Sequence, residues 1–325
     1  MAHPDYAGLF ARPVDRVVCA VGQDGAGAVL FPIILRPLAT EPWSLPGERR
    51  LDAVTPYGYG GPFAWGDGDH TGFWLVFNNW CRDERVVSTF ARLSLFTEQL
   101  ALAGMPGVVE ARAPNIVVPL AGGADAVWRG YESKVRKWIR TAEMSGLRVE
   151  VDRAGTRLDA FVRVYTHTMQ RNGADAWYFF PRAFFEAIVS RLAGHYAFFF
   201  TLRGEDVVSA DLVLCSEENV YYFLGGTLAD AFPLGPNYLL KHHVANWALA
   251  NGKQRYVLGG GYQPGDGLFR YKRGWARGGE VPFRVGCIVH DEDGYRQLGE
   301  ARAAFEARAG CSWAPRPGFF PVYRA

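Results

Sequence analysis

The sequence predicts a mixed α/β (α+β) fold in two domains, and three observations carry that reading. Apolar runs of strand length alternate with amphipathic runs of helix length, the pattern of sheets with helices packed on them. The 325 residues exceed what a single core of ordinary size organises. A Gly122-Gly123 breaker follows a strand near the middle of the chain, dividing 1–122 from 123–325, with a C-terminal tail that can pack back on the first domain.

Taken in order, residues 14–21 and 28–36 predict two strands joined through the Gly-rich turn 22–27. Residues 70–80 fit a helix or a buried strand, and 84–96 form an apolar segment punctuated by arginines. A strand over 115–120 precedes a long amphipathic helix over 124–145, in which Val127, Tyr131, Val135, Ile139 and Ala142 share one face and Gly146 takes the C-cap position. Strand 147–152, helix 157–171, helix 181–193 and strand 196–202 follow. A hairpin, 206–215 with 220–226, turns at Ser216-Glu217-Glu218-Asn219. Helix 236–251, strand 254–258, two strands near 268–276 and 281–289, and a helix near 294–308 complete the pattern.

Composition narrows the function classes. Hydrophobic residues make up 49% of the chain and charged residues 21%, which excludes extensive disorder. The net charge of +2 leaves no global basic field, so contact with nucleic acid requires a local patch. Five cysteines, scattered and without a Cys-x-x-Cys pair, argue against a disulfide framework and a structural zinc site and for a reducing cytoplasm. The N-terminus lacks a basic region followed by an apolar run, and no stretch is long enough for a membrane span. A cytoplasmic, single-copy protein without resident cofactor or metal is expected.

Four segments together resemble the FemABX peptidyltransferases, aminoacyl-tRNA-dependent ligases of the GNAT fold. They are Trp128-Arg129-Gly130-Tyr131-Glu132-Ser133-Lys134-Val135-Arg136-Lys137-Trp138-Ile139-Arg140, then Tyr165 to Asn172 with Tyr178-Phe179, then Leu258-Gly259-Gly260-Gly261, and Phe269-Arg270-Tyr271-Lys272-Arg273-Gly274-Trp275. The resemblance spans about 128–275 and implies tandem GNAT-like domains, each a mixed, largely antiparallel sheet flanked by helices. It implies transfer of an aminoacyl group from charged tRNA to an amine, such as that of a cell-wall precursor or a natural-product intermediate, with the charged tRNA as co-substrate. No heptad-bearing helical arm is present.

The resemblance gives Lys272 the catalytic position. On a strand over 269–275, Arg270 and Lys272 would share one face and Tyr271 and Arg273 the other. A cation at Lys272 would stabilise charge developing on the ester carbonyl, the alternative being a lysine at a solvated sheet edge. Arg171, Tyr178 and Tyr222 are substrate contacts by the resemblance, with Tyr57 in a looser N-terminal match, and Arg270 and Tyr271, flanking Lys272, are expected as further substrate contacts. Arg171 suits phosphate through its planar fork, or complements the helix dipole. Gly259, Gly260 and Gly261 admit close backbone approach, or mark a bulge. Lys134, Arg136, Lys137 and Arg140 form a basic helix face that suits tRNA phosphates, with Trp128 and Trp138 as candidate stacking surfaces. The pair His242-His243 has poor chelating geometry and reads as structural. No Gly-x-Ser-x-Gly elbow or His-Glu-x-x-His motif occurs, so direct aminolysis without an acyl-enzyme is expected.

Two other readings compete. An acyl-CoA-dependent GNAT N-acyltransferase needs a pyrophosphate-binding turn, and the only literal match is Arg296-Gln297-Leu298-Gly299-Glu300-Ala301 in an acidic, helical stretch. A binding protein on a transferase scaffold is the second.

Overall fold

The computed structural model describes residues 1–25, 27–66, 70–96, 99–263 and 265–325; Ala26, in the expected first turn, lies outside them. In chain order the strands are β1 (Arg16–Asp24), β2 (Gly27–Pro37), β3 (Leu51–Val54), β4 (Phe63–Trp65), β5 (Val86–Arg92), β6 (Val108–Pro119), β7 (Arg148–Asp152), β8 (Tyr196–Arg203), β9 (Asp206–Cys215), β10 (Asn219–Thr227), β11 (Arg255–Gly259) and β12 (Glu280–Val289). The helices are α1 (Pro4–Gly8), α2 (Thr71–Asp83), α3 (Gln99–Leu102), α4 (Gly123–Gly130), α5 (Ser133–Met144), α6 (Leu158–Arg171), α7 (Arg182–Arg191), α8 (Pro236–Ala250), α9 (Gly267–Arg273) and α10 (Glu292–Arg308).

The chain divides into two compact units, one formed by Met1–Arg112 with Phe283–Ala325 and the other by Ala113–Pro282. This division differs from 1–122 and 123–325. Strand β6 runs unbroken to Pro119, so Gly122-Gly123 marks where that strand gives way to α4. Residues 283–325 join the first unit because Val285–Val289 of β12 pair antiparallel with β5 and Tyr323 fills a core with Leu38, Trp43, Val87 and Leu298.

In the first unit the sheet runs β1-β2-β3-β5-β12, with β4 on β2. Helix α2 buries Trp74, Phe77 and Cys81 against Phe31, Ile33 and Leu35 of β2. Helical spacing resolves the ambiguity at 70–80, because these residues recur at three and four. Beside this core Asp52 is fully buried and accepts hydrogen bonds from Arg36 Nε at 2.7 Å and from Arg324, which also reaches Glu41.

In the second unit the order is β6-β11-β10-β9-β8-β7, antiparallel except where β10 runs parallel to β11. Helices α5 and α8 cover one face, burying Val135, Ile139, Leu240 and Val244 with Phe199 and Tyr256. Helix α6 packs on β9 and β10, where Thr168 Oγ1 accepts from the Thr227 amide. Gly226 is required there, since a Cβ would meet that hydroxyl at 2.3 Å.

Two expected elements are corrected. The helix over 124–145 breaks at Tyr131-Glu132, both extended, where the 274–277 segment takes over their hydrogen bonding: Glu132 N donates to Gly274 O, and Arg277 N to Gly130 O. The strand over 268–276 is helix α9. Asp266 caps it through the Phe269 amide at 2.6 Å, and Phe269 and Lys272, three apart, share its buried face.

Candidate active site

Lys272 lies on the buried side of α9, a helix and not the expected strand, and is only 6% exposed, which disfavours the alternative of a solvated sheet-edge lysine. Its Nζ donates to the Gly260 carbonyl at 2.7 Å and lies 5.5 Å from the centroid of the Tyr222 ring. A second lysine, Lys241 of α8, lies 3.7 Å from the same ring and donates to Asp211 Oδ2 at 2.8 Å. Two ammonium groups, one carboxylate and one phenol therefore meet in the interior of the second unit. Both cations lie within cation–π reach of Tyr222.

The electrostatics follow from that arrangement. Burial pushes Lys272 down to about 7, and the charge of Lys241 adds to the effect; Asp266 and Asp211 oppose it. Asp211 is pushed upward by burial, with Lys241 pulling it back through charge and hydrogen bond. Lys241 thus has a carboxylate partner, while Lys272 is held by a carbonyl dipole and exchanges its proton near neutrality. Local backbone keeps the cluster tight. A Cβ at Gly225 would meet Asp211 Oδ1 at 2.3 Å.

The glycine segment has structural work of its own. The β11–β6 register shifts at Gly259, whose φ is +80°. A Cβ on Gly261 would strike Asp266 Oδ1 at 2.3 Å, and one on Gly260 would press on the Pro114 carbonyl at 3.2 Å. Gly260 contributes its carbonyl to Lys272, and Asp266 also accepts from the Tyr262 and Gln263 amides. The Gly-rich exit and α9 are one hydrogen-bonded assembly.

The other substrate-contact candidates occupy separate parts of the site region. The Tyr262 ring meets Tyr178 edge-on at 6.0 Å, and the Tyr178 carbonyl accepts from Tyr165 OH. Arg171 ends α6; its Nη1 donates to Thr227 O at 2.7 Å and its guanidinium lies 4.8 Å over Phe232. Thr227 lies two residues beyond Gly225, the ladder partner of Asp211, so Arg171 meets β10 about 7 Å along the strand from the carboxylate of the lysine cluster. Arg270 is exposed and donates to Gly265 O at 2.6 Å, while Tyr271 OH accepts from Asn237 at 3.1 Å. Helical geometry therefore separates Arg270 from Lys272, contrary to the shared strand face. Tyr57 belongs to the first unit, where its carbonyl accepts from Tyr6 OH at 2.6 Å.

The basic helix face is only partly as expected. Lys134, Lys137 and Arg140 are exposed on α5. Arg136 is turned inward, and its Nη1 donates to the Tyr131 and Trp128 carbonyls, tying the break between α4 and α5. The two indoles are already packed. Trp138 stacks on Tyr238 at 5.8 Å, and Trp128 meets His242 at 5.3 Å with Arg140 over it. His242 hydrogen-bonds Asn246 at 3.1 Å, a structural role.

Sequence reasoning missed Asp211 and Lys241. Lys241 carried a signal, being one of only five lysines among 35 basic side chains. Asp211 carried another, as the sole carboxylate between Val207 and Cys215 in an otherwise apolar strand.

Comparison with known proteins places this geometry. Residues 131–273 match the family described as the acetyltransferase (GNAT) domain. A search of curated sequences finds no match. Among solved structures, FemX superposes with a TM-score of 0.67 at 13% identity over 91% of this chain and 93% of that one. The C-terminal domain of a putative lysylphosphatidylglycerol synthetase from Agrobacterium fabrum gives 0.54 at 14% identity, covering 91% and 88%. L-PGS from Bacillus licheniformis gives 0.56 at 11% identity, covering 85% of each chain. The chain shares the fold of these structures, and its match to the GNAT domain family lies within the second unit.

Proposed function

We propose that this protein is an aminoacyltransferase that takes the aminoacyl ester of a charged tRNA and joins it to an amine acceptor by direct aminolysis. The observation that carries the reading is Lys272, buried in the GNAT domain beside Tyr222 with its ammonium turned to a backbone carbonyl rather than to a carboxylate. One fold neighbour is named a putative lysylphosphatidylglycerol synthetase, which supports an aminoacyl rather than a simple acetyl donor.

In this reading the acceptor nitrogen attacks the ester carbonyl. A C–N bond forms, the C–O bond to the tRNA ribose breaks, and the amine's proton passes to the departing hydroxyl. Protonated Lys272 faces the oxygen on which negative charge develops, and one such donor in a dry site contributes about 3–4 kcal/mol. Gly259, Gly260 and Gly261 let the donor approach the backbone. Arg171, Tyr178, Tyr222, Arg270 and Tyr271 contact substrate. Exposed Lys134, Lys137 and Arg140 hold tRNA phosphates, and Arg136 supports them by fixing the start of α5. The reaction needs no resident cofactor or metal.

The acyl-CoA alternative loses its motif. Arg296 to Ala301 lies inside α10, and Arg296 pairs with Asp293 and Glu300, so no pyrophosphate-binding turn is formed there. The test offers a mixture of charged tRNAs and, separately, acetyl-CoA, each with amine acceptors. Amine-dependent deacylation of tRNA is expected, and Lys272→Ala lowers it by about 100-fold or more. Thiol release from acetyl-CoA without deacylation would assign the acyl-CoA reaction instead, and turnover of neither would leave a binding protein.

A further inference from the structure

We propose that two copies of this chain associate through β1, pairing edge to edge so that the first unit's sheet continues into that of the partner subunit. Sequence reading expected a single copy; the edge strand argues otherwise. Strand β1 ends the sheet, and β2 is its one ladder partner among the described residues. Its register with β2 runs without a bulge from Arg16↔Leu35 to Asp24↔Gly27, leaving nine residues of straight edge. Open edges of this length are normally blocked by a proline, an inward lysine or a bulge, and β1 has none of these. Its centre is Val17-Val18-Cys19-Ala20-Val21, and Val21 is 66% exposed.

The occupant is identified by charge. Reversed upon itself about Ala20, the strand places Arg16 opposite Asp24 of the partner subunit, and the twofold axis repeats that pair at the other end. Val18 then faces Gly22 of the partner subunit on the same side of the sheet. A twofold axis normal to the sheet allows only registers that shift by two. Centring on Cys19 or Val21 instead removes both ion pairs, so the charges select one alignment. Arg16 Nη2 already reaches Glu84 at 2.9 Å, which leaves the remaining guanidinium donors for Asp24 of the partner subunit.

A second feature of the same face agrees. A cavity of about 730 Å³ lies between β1 and α2, lined by Val18, Ala20, Phe73, Phe77 and Trp80. On its rim Val76 is 69% exposed, an apolar surface that the single chain leaves in water. Pairing at Ala20 brings the corresponding cavity of the partner subunit alongside, and the two apolar walls close on each other.

Sedimentation equilibrium of the full chain tests this. The native protein is expected to dimerise. Asp24→Arg, which sets arginine against Arg16 of the partner subunit at both ends, should weaken the dimer by about tenfold or more. The double exchange R16D/D24R restores the attraction and should recover most of that loss, although it sacrifices the Glu84 contact. Thermal unfolding and circular dichroism of each variant verify that the fold survives. A native chain that stays monomeric at every concentration, or a dimer indifferent to Asp24→Arg, overturns the proposal. A dimer weakened equally by the single and double exchanges also overturns it, because charge pairing then does not set the contact.

Discussion

Each unit buries one carboxylate with two basic side chains near it, and the two clusters behave differently. In the first unit Asp52 accepts from Arg36 and Arg324, so both cations are bonded to the acid they face. In the second unit Asp211 accepts from Lys241, and Lys272 is left on the Gly260 carbonyl. Arginine keeps its charge inside proteins, whereas a buried lysine readily gives its proton up. The arginine cluster is therefore a fixed brace for the sheet and the C-terminal tail. The lysine cluster holds a group, Lys272, whose charge can change near neutrality, the kind of perturbed group that functional sites collect.

Breaking the two clusters tests that contrast. The largest effect is expected from Lys241→Met, which leaves Asp211 buried without its partner and should cost about 3–5 kcal/mol in denaturant unfolding. Adding Asp211→Asn should recover a large part of that cost, because no unpaired charge remains. Failure to recover would mean that packing of the lysine stem, and not charge, dominates the site.

A smaller effect separates lysine from arginine by pH. The native Lys272 value of about 7 lies well below the ordinary 10.5, so between these limits the unfolded chain binds more protons than the folded one. Stability from this group therefore rises with pH above 7, and the cost of burying its charge is fully present below that. Relative to Lys272→Met, the native protein should gain about 2 kcal/mol between pH 7 and 9. Arg36→Met should leave that slope in place. Parallel pH profiles for the native chain and Lys272→Met would show that Lys272 stays charged.

The smallest effect concerns Arg171. Removing its bond to Thr227 O and its contact with Phe232 should cost about 1 kcal/mol of stability. If it also binds acceptor, Arg171→Ala should raise KM for the amine substrate with kcat nearly unchanged. An unchanged KM would assign Arg171 to the helix terminus alone.

Much of the architecture was legible because it rests on local periodicity. The hairpin of β9 and β10, the helix α8 and the strand β8 follow directly from apolar spacing and turn residues. The failures have specific causes. A seven-residue helix such as α9 contains too few turns to establish a period, and its cap, Asp266, looks like loop composition. The break at Tyr131-Glu132 depends on residues 274–277, more than 140 positions away, which no local pattern announces. The site shows the same divide. Lys272 was legible through its segment's resemblance, whereas Asp211 and Lys241 meet only because α8 lies across β9. Burial likewise is a property of the assembled sheet, and it is burial that makes Lys272 chemically unusual.

The nesting of the two units has a consequence for biosynthesis. Every residue of the inner unit, 113–282, is made before the outer unit receives β12 and the tail that carries Tyr323 and Arg324. A growing chain can thus close the GNAT domain while Asp52 still lacks Arg324 and the inner sheet edge of β5 still waits for Val285–Val289. Released chains truncated shortly after residue 282 should therefore display a protease-resistant centre preceded by a digestible N-terminal third.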